Sequence, residues 1–231
     1  SDNWNRQGLS LKAGTDFDYL LKVTNETDNE HTGLTLYDTL PQIGDENIFT
    51  SARNSEFHVR LREAITPPEG YDVFYTTSAE VYEKSMQEMT NADIWTDSVS
   101  DYSAVTAFKL VAKEGIVLAG QSSFQVRIPV QAPAVFDEDS MKLLDAKSDQ
   151  DQYSGTMSYL EAINSLGFKT DQLALEKESN YVWARVPFAG FCVKKTDSAN
   201  GNGIAGAEFT LTDAAGNVVC TAVSDSQGFI R

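Results

Sequence analysis

The chain has only two histidines and two cysteines, and its 18 Lys and Arg are outnumbered by 34 Asp and Glu, a formal net charge of −16 over 231 residues. Each shortage closes off a class of function. With so few cations, phosphate backbones and anionic lipids are repelled, so neither nucleic acid nor a membrane surface is an expected partner. His31 sits in the polar turn Thr27-Asp28-Asn29-Glu30-His31-Thr32-Gly33, and the alternation around His58 turns it toward water. Neither has the spacing of a metal ligand or of a base beside a nucleophile, which argues against imidazole catalysis. Cys192 and Cys220 have no His or third Cys nearby to complete a tetrahedral metal site. No apolar run approaches the roughly 20 residues that span a bilayer, and Ser1-Asp2-Asn3-Trp4 is not a signal peptide. The expectation is an internal, monomeric piece of a longer protein, non-catalytic, with no membrane insertion, no metal and no cofactor.

What the chain does have is core material. Hydrophobic residues make up 41% and aromatics 10%, which separates it from acidic disordered chains, and its length allows two domains. Strand periodicity recurs throughout. Phe17, Tyr19, Leu21 and Val23 share one parity, with Asp18 and Lys22 on the other; Phe57, Val59 and Leu61 alternate with His58, Arg60 and Arg62. Further strands are expected over 34–37, 72–76, 104–112, 123–130, 156–163 and 181–186, with Tyr19, Leu21, Val23, Phe57, Val59, Leu61, Phe124, Val126 and Ile128 buried. Turn clusters such as Thr66-Pro67-Pro68-Glu69-Gly70 separate them. Many short strands with regular turns predict a β-sandwich.

Helical signals are few. Glu80 to Met89 reads as a helical insertion with Val81, Met86 and Met89 on one side and no strong cap. Residues 136–151, acidic and without a sustained period, read as an exposed loop holding at most a short helix. Asp137, Glu138, Asp139, Asp149 and Asp151 there have the oxygens for Ca²⁺ but not the Asp and Gly spacing of a dedicated loop, so they read as solvated charge. Near Pro187 the composition turns small and Gly-rich, as in Asp197-Ser198-Ala199-Asn200-Gly201-Asn202-Gly203, before Ala207-Glu208-Phe209-Thr210-Leu211 alternates again. That shift predicts a boundary between residues 1–187 and 188–231. Gly201-Asn202-Gly203 is a turn without the strand-to-helix context of a phosphate loop.

Four segments after that boundary carry a resemblance: Val193-Lys194-Lys195-Thr196-Asp197, Gly203 to Leu211, Asp213-Ala214-Ala215-Gly216-Asn217-Val218-Val219, and Ser224-Asp225-Ser226-Gln227-Gly228-Phe229. In this order they resemble the B-type, prealbumin-like repeat of collagen adhesins and pilins from Gram-positive surfaces. Gly14 to Pro41, with Tyr19, Asn25 and the ending Asp38-Thr39-Leu40-Pro41, resembles the start of an immunoglobulin-like repeat of bacterial surface proteins. The fold expected is therefore all-β: an immunoglobulin-like or jelly-roll-like sandwich with insertions over 1–187, then an incomplete prealbumin-like sandwich. The resemblance implies an extracellular, cell-wall-attached adhesin or pilin segment.

It also implies an intramolecular isopeptide bond. In that family a Lys on the first strand attacks an Asn or Asp on the last, while a buried Glu on a middle strand shuttles the proton. Lys195 stands in the corresponding first strand and shares parity with Phe191 and Val193, which puts its amine on the apolar face; Lys194 has the solvated parity. Burial would make the amine neutral and nucleophilic. A Lys near a strand end that snorkels to water is the other reading. Glu208 alternates out of register with Ala207, Phe209 and Leu211, so it is not the family's Glu. Arg231 comes before the strands that carry the family's Glu and its Asn or Asp, so the bond is expected to need residues beyond these.

By parity Cys192 and Cys220 each point away from the core face, which favours free thiols over a bridge. Abundant carboxylates leave a glycosidase-like pair open without pointing to one. Three functions remain: a structural stalk, a module that grips a host or environmental protein or glycan, and a carbohydrate-binding accessory domain, or a catalytic domain, of a secreted carbohydrate-active enzyme. For a ligand, Tyr75, Tyr82, Trp95, Tyr102 and Tyr153 are the candidate aromatic contacts.

Overall fold

The structure, a computed structural model, describes residues 8–151, 158–188 and 193–230. The chain divides into two compact units, Ser1–Pro187 and Phe188–Arg231. In chain order the first unit holds β1 (Gly8–Ser10), β2 (Asp16–Thr24), β3 (His31–Thr32), β4 (Thr35–Thr39), β5 (Arg60–Leu61), β6 (Tyr71–Thr76), α1 (Met86–Met89), β7 (Ala107–Ala112), β8 (Val117–Leu118) and β9 (Ser123–Gln131). It continues with α2 (Glu138–Asp151), β10 (Ser158–Asn164), β11 (Leu166–Lys169), β12 (Lys177–Glu178) and β13 (Val182–Phe188). The sheets run β12-β11-β4-β7-β6, β2-β9-β5, β1-β13-β10 and β3-β8. The class is all-β, a sandwich with short helical insertions.

Period-2 patterning explains the core. In the antiparallel pair β2–β9, Tyr19 lies opposite Ile128 and Leu21 opposite Val126, and all four are buried. Phe57, Val59 and Leu61 are buried too, although only Arg60–Leu61 is paired as strand. Val23 and Phe124, paired at the far end of β2–β9, are half-buried rather than buried, because that end of the ladder opens toward solvent. At about 25 cal/mol per Å² of apolar surface removed from water, each buried aliphatic or aromatic side chain contributes on the order of 1.5–3 kcal/mol.

Two expectations fail in the connections. Residues 138–151 are a 14-residue helix, not a loop. Asp137 caps it, its Oδ1 accepting from Ser140 N–H at 2.8 Å, and Glu138 and Asp139 sit at the positive end of the helix dipole. Ser140 and Leu144, one turn apart, are buried, and Lys147 on the same face reaches Glu56 at 2.5 Å. A narrow face was enough to dock the helix, although Met141 and Leu143 stay exposed.

The 79–89 insertion is a 3-10 turn, Ala79–Tyr82, followed by α1. It is capped after all: the Glu88 carboxylate accepts from Ser85 N–H at 2.9 Å and from the Ser85 hydroxyl at 2.7 Å. Val81, Met86 and Met89 pack with Tyr37, Ile48 and Ala107. Gly167 of β11 admits that contact, since a Cβ there would stand 2.5 Å from Met86 Sδ and 2.8 Å from Ile48 Cδ1.

The second unit, taken by itself, holds β14 (Val193–Lys194), β15 (Glu208–Thr212), β16 (Val218–Val223) and β17 (Phe229–Ile230). β14 pairs with β17 and β15 with β16, both antiparallel. Among its described residues only Ser224 and Gly228 are buried.

Candidate functional site

The most enclosed polar chemistry of the first unit lies where β4, the 42–56 loop and the end of β10 meet. Asp38 and Thr39 come from β4, Asp45 and Arg53 from the loop, Asn164 from β10, and all five are buried. Arg53 Nη2 donates to Asp45 Oδ2 at 2.6 Å, to Thr39 O at 3.0 Å and to Thr39 Oγ1 at 3.1 Å. Its Nη1 donates to Asn164 Oδ1 at 3.2 Å and Ser165 O at 3.3 Å. Asn164 Nδ2 in turn donates to Asp38 Oδ2 at 3.1 Å. Burial pushes the Asp38 carboxyl up to about 7, against the pull of Arg53 and Asn164. The surrounding Tyr19, Tyr37 and Tyr82 phenols are raised as well, first by burial and then by the carboxylates.

An acid touching an amide meets two needs of an amide cross-link, a proton carrier and an acyl group. The third member here is a guanidinium, which stays protonated and is no nucleophile. The cluster therefore organises structure. Sequence reading missed it, although Asp38 shares parity with Leu34, Leu36 and Leu40, which marks it as inward-facing.

The four described candidate aromatic contacts do not form one surface. Tyr75 is 2% exposed, so it is a core residue and not a surface contact; its hydroxyl accepts from Ile65 N–H at 2.8 Å. Tyr82 packs beside α1 and donates to Leu40 O at 2.9 Å. Trp95 Nε1 donates to Met89 O at 2.9 Å, and Lys109 Nζ lies 4.7 Å above the ring while donating to Thr90 O at 2.7 Å. These two rings fasten the insertion to the sheet. Tyr102, edge-on to Tyr75 at 5.2 Å, is half-exposed and lines an open cleft of about 760 Å³ with Arg60, Arg62 and Asp101. Tyr153 lies outside the described residues. Among the described residues no three His, Cys, Asp or Glu side chains gather to hold a metal.

In the second unit the backbone of Lys195 is fixed on both sides: its N–H donates to Gly228 O at 2.8 Å and its carbonyl accepts from Ile204 N–H at 2.9 Å. Only glycine fits opposite, since a Cβ on Gly228 would stand 2.3 Å from Lys195 O, and Gly228 holds φ +84°. The Asp225-Ser226-Gln227-Gly228 turn and the Gly203 segment thus clamp the end of β14. Residues 189–231 match the family model of the SpaA prealbumin-like fold domain.

That match covers the segment in which the prealbumin-like resemblance was read. No curated protein matches the chain. Among solved structures it is similar to the major pilin subunit BcpA of Bacillus cereus, at 19% identity and a TM-score of 0.38, over 97% of this chain and 51% of that one. It is also similar to two domains of the major pilin SpaD from Corynebacterium diphtheriae, at 12% identity and a TM-score of 0.32, over 95% of this chain and 68% of that one. The chain thus spans about half the length of the BcpA chain.

Within the prealbumin-like segment, two side chains differ from the parity reading. Lys195 follows the end of β14 and is exposed, where shared parity with Val193 had put its amine on an apolar face. Cys220 lies opposite Leu211, as Ala222 lies opposite Phe209, so it shares the apolar face of the hairpin instead of pointing away from it. Directly paired residues project to the same side, and a register irregularity after Leu211 upset the count along the strand. Cys220 is an exposed free thiol; Cys192 lies outside the described residues. Glu208 is exposed, as its parity predicts.

Proposed function

We propose that the chain is a structural segment of a Gram-positive surface filament, a pilin-like or stalk-like piece of an extracellular, cell-wall-attached protein. The observation that carries this is the SpaA prealbumin-like match over 189–231, with strands and clamped turns that occupy that segment in the order of the four motifs. Antibody raised against residues 8–187 should label intact cells of the producing strain along surface filaments, and muramidase should release the label. Label confined to the cytoplasm would sink the reading.

Presentation of a ligand-binding region is the finer part of the proposal. Among the described residues Tyr102, in its open cleft with Arg60 and Arg62, is the candidate contact this proposal uses. A protein and glycan array probed with the chain tests it: binding weakened by Tyr102→Ala supports a gripping module, and no binding leaves a structural one.

Lys195 is proposed as the amine of an isopeptide bond. In a longer chain that supplies the partner strands, the neutral amine attacks the side-chain carbonyl carbon of an Asn or Asp. A C–N bond forms, the C–N or C–O bond of the leaving group breaks, and ammonia or water departs with the proton carried by a buried Glu. The intact mass should fall by about 17 or 18 units, the mass of the group expelled. A full, uncondensed mass in that longer chain overturns the assignment, as does a condensed mass that survives Lys195→Ala.

A further inference from the structure

Among its described residues the first unit encloses two carboxylates and one guanidinium: Asp38 and Asp45 are 1% exposed and Arg53 4%. Asp45 takes the cation at 2.6 Å and also accepts from Ser55 N–H at 2.9 Å and Gln42 N–H at 3.3 Å. Asp38 is left with a neutral donor, the Asn164 amide, on Oδ2; its Oδ1 is buried without a hydrogen-bond partner. The titratable and charged groups around Asp38 are its β4 neighbour Tyr37 and, from other elements, Tyr19 of β2, Tyr82 of the insertion and the Asp45–Arg53 pair of the loop. Burial keeps the three phenols protonated. With both carboxylates ionised, this dry cluster would therefore carry an uncompensated negative charge, which is the costly arrangement in a low-dielectric interior.

We propose that Asp38 is a neutral carboxylic acid in the folded protein and that its proton latches the 42–56 loop, by leaving Arg53 wholly to Asp45. The loop base depends on that pair: Asp45 O also accepts from Arg53 N–H at 2.8 Å and Asn54 N–H at 3.1 Å. When Asp38 loses its proton, Arg53 has a second anion to serve. Arg53 Nε and Asp38 Oδ1, both buried and unpartnered, become natural partners, and the guanidinium is drawn from Asp45. Released at its base, the loop can relax its tip, where half-exposed Phe49 precedes Thr50, a β-branched residue held at φ 60°. This reading is independent of the filament proposal.

The sign follows from proton linkage. Burial raises the Asp38 acid from 3.8 to about 7, so between those values the folded chain holds one proton more than the unfolded chain. Its contribution to stability is full below the lower value, falls as pH rises, and is lost above about pH 7, with the unfolding constant growing about tenfold per pH unit in between. Urea unfolding of the full chain and of Asp38→Asn from pH 4.5 to 8.5 reads this directly. The wild type should lose stability relative to the variant by about tenfold per unit up to pH 7 and no further beyond pH 8; parallel profiles overturn the proposal. If Asp38→Asn does not fold, ¹³C NMR of the wild-type carboxyls decides. An Asp38 midpoint near 7, moving together with the Arg53 and Ser55 amides, is the expected result. A midpoint below about 5 removes the neutral acid, and a midpoint near 7 with both amides unmoved removes the latch.

Discussion

Val59 in the first unit and Val219 in the second are the same residue type in strand-forming segments, yet one is 3% exposed and the other 62%. Their units differ in the same way. The first has a core drawn from β2, β4, β6, β7, β9, β10 and β13, whereas the second has an antiparallel hairpin, β15–β16, whose valines 218, 219 and 223 are all at least 60% exposed. Alternation orients side chains; it does not supply the layer that covers them. A period-2 pattern therefore states which residues point the same way, and only the packing of another element turns that into stability.

The sharpest way to break this contrast is Val59→Asp. An unpaired charge in that site costs several kcal/mol, against a total stability of about 5–15 kcal/mol for a domain. The first unit should unfold, seen as loss of its cooperative thermal transition. A Val59→Asp protein with an unchanged melting temperature would show that the buried side of this segment is wrongly assigned.

Next in size is Arg53→Ala. It strands Asp45 in a site where both side chains are fully inaccessible, and removing one partner of a buried pair costs about 3–5 kcal/mol. Replacing Asp45 as well should return part of that loss, because much of it is the penalty of the orphaned charge. Chemical denaturation of the two single variants and the double variant measures the coupling; strict additivity would mean the pair does not act as a unit.

Much of this was legible in the residues themselves. The inward set Tyr19, Leu21, Phe57, Val59, Leu61, Val126 and Ile128 follows from parity alone, and all are buried. The helix over 138–151 was hidden because its docking face is little more than Ser140, Leu144 and Lys147, too narrow to impose a period on an acidic stretch. Tyr75, Tyr82 and Trp95 were read as ligand contacts because composition marks a ring as sticky without saying what it sticks to; here Tyr82 and Trp95 pack on the insertion and Tyr75 on Tyr102. The Asp38 cluster needed Asn164 of β10 to be brought, from more than 100 residues away, to β4 and the loop that follows it, and no local pattern encodes that meeting.

The smallest expected effect belongs to the second unit. The register pairs Leu211 with Cys220 and then Thr212 with Val218, so Val219 is the residue that the irregularity leaves without an opposite number across the hairpin, and it is 62% exposed. Val219→Asp adds one carboxylate at an exposed, irregular point of the hairpin and leaves no buried group unpaired. The cost is bounded by strand propensity, about 1 kcal/mol or less, and the melting transition should stay within a few degrees of the wild type. The same Val-to-Asp change thus has opposite consequences at positions 59 and 219, and burial is the variable that separates them. A drop for Val219→Asp comparable to that for Val59→Asp would mean that this part of the hairpin is covered in solution, and that the contrast between the two units does not hold.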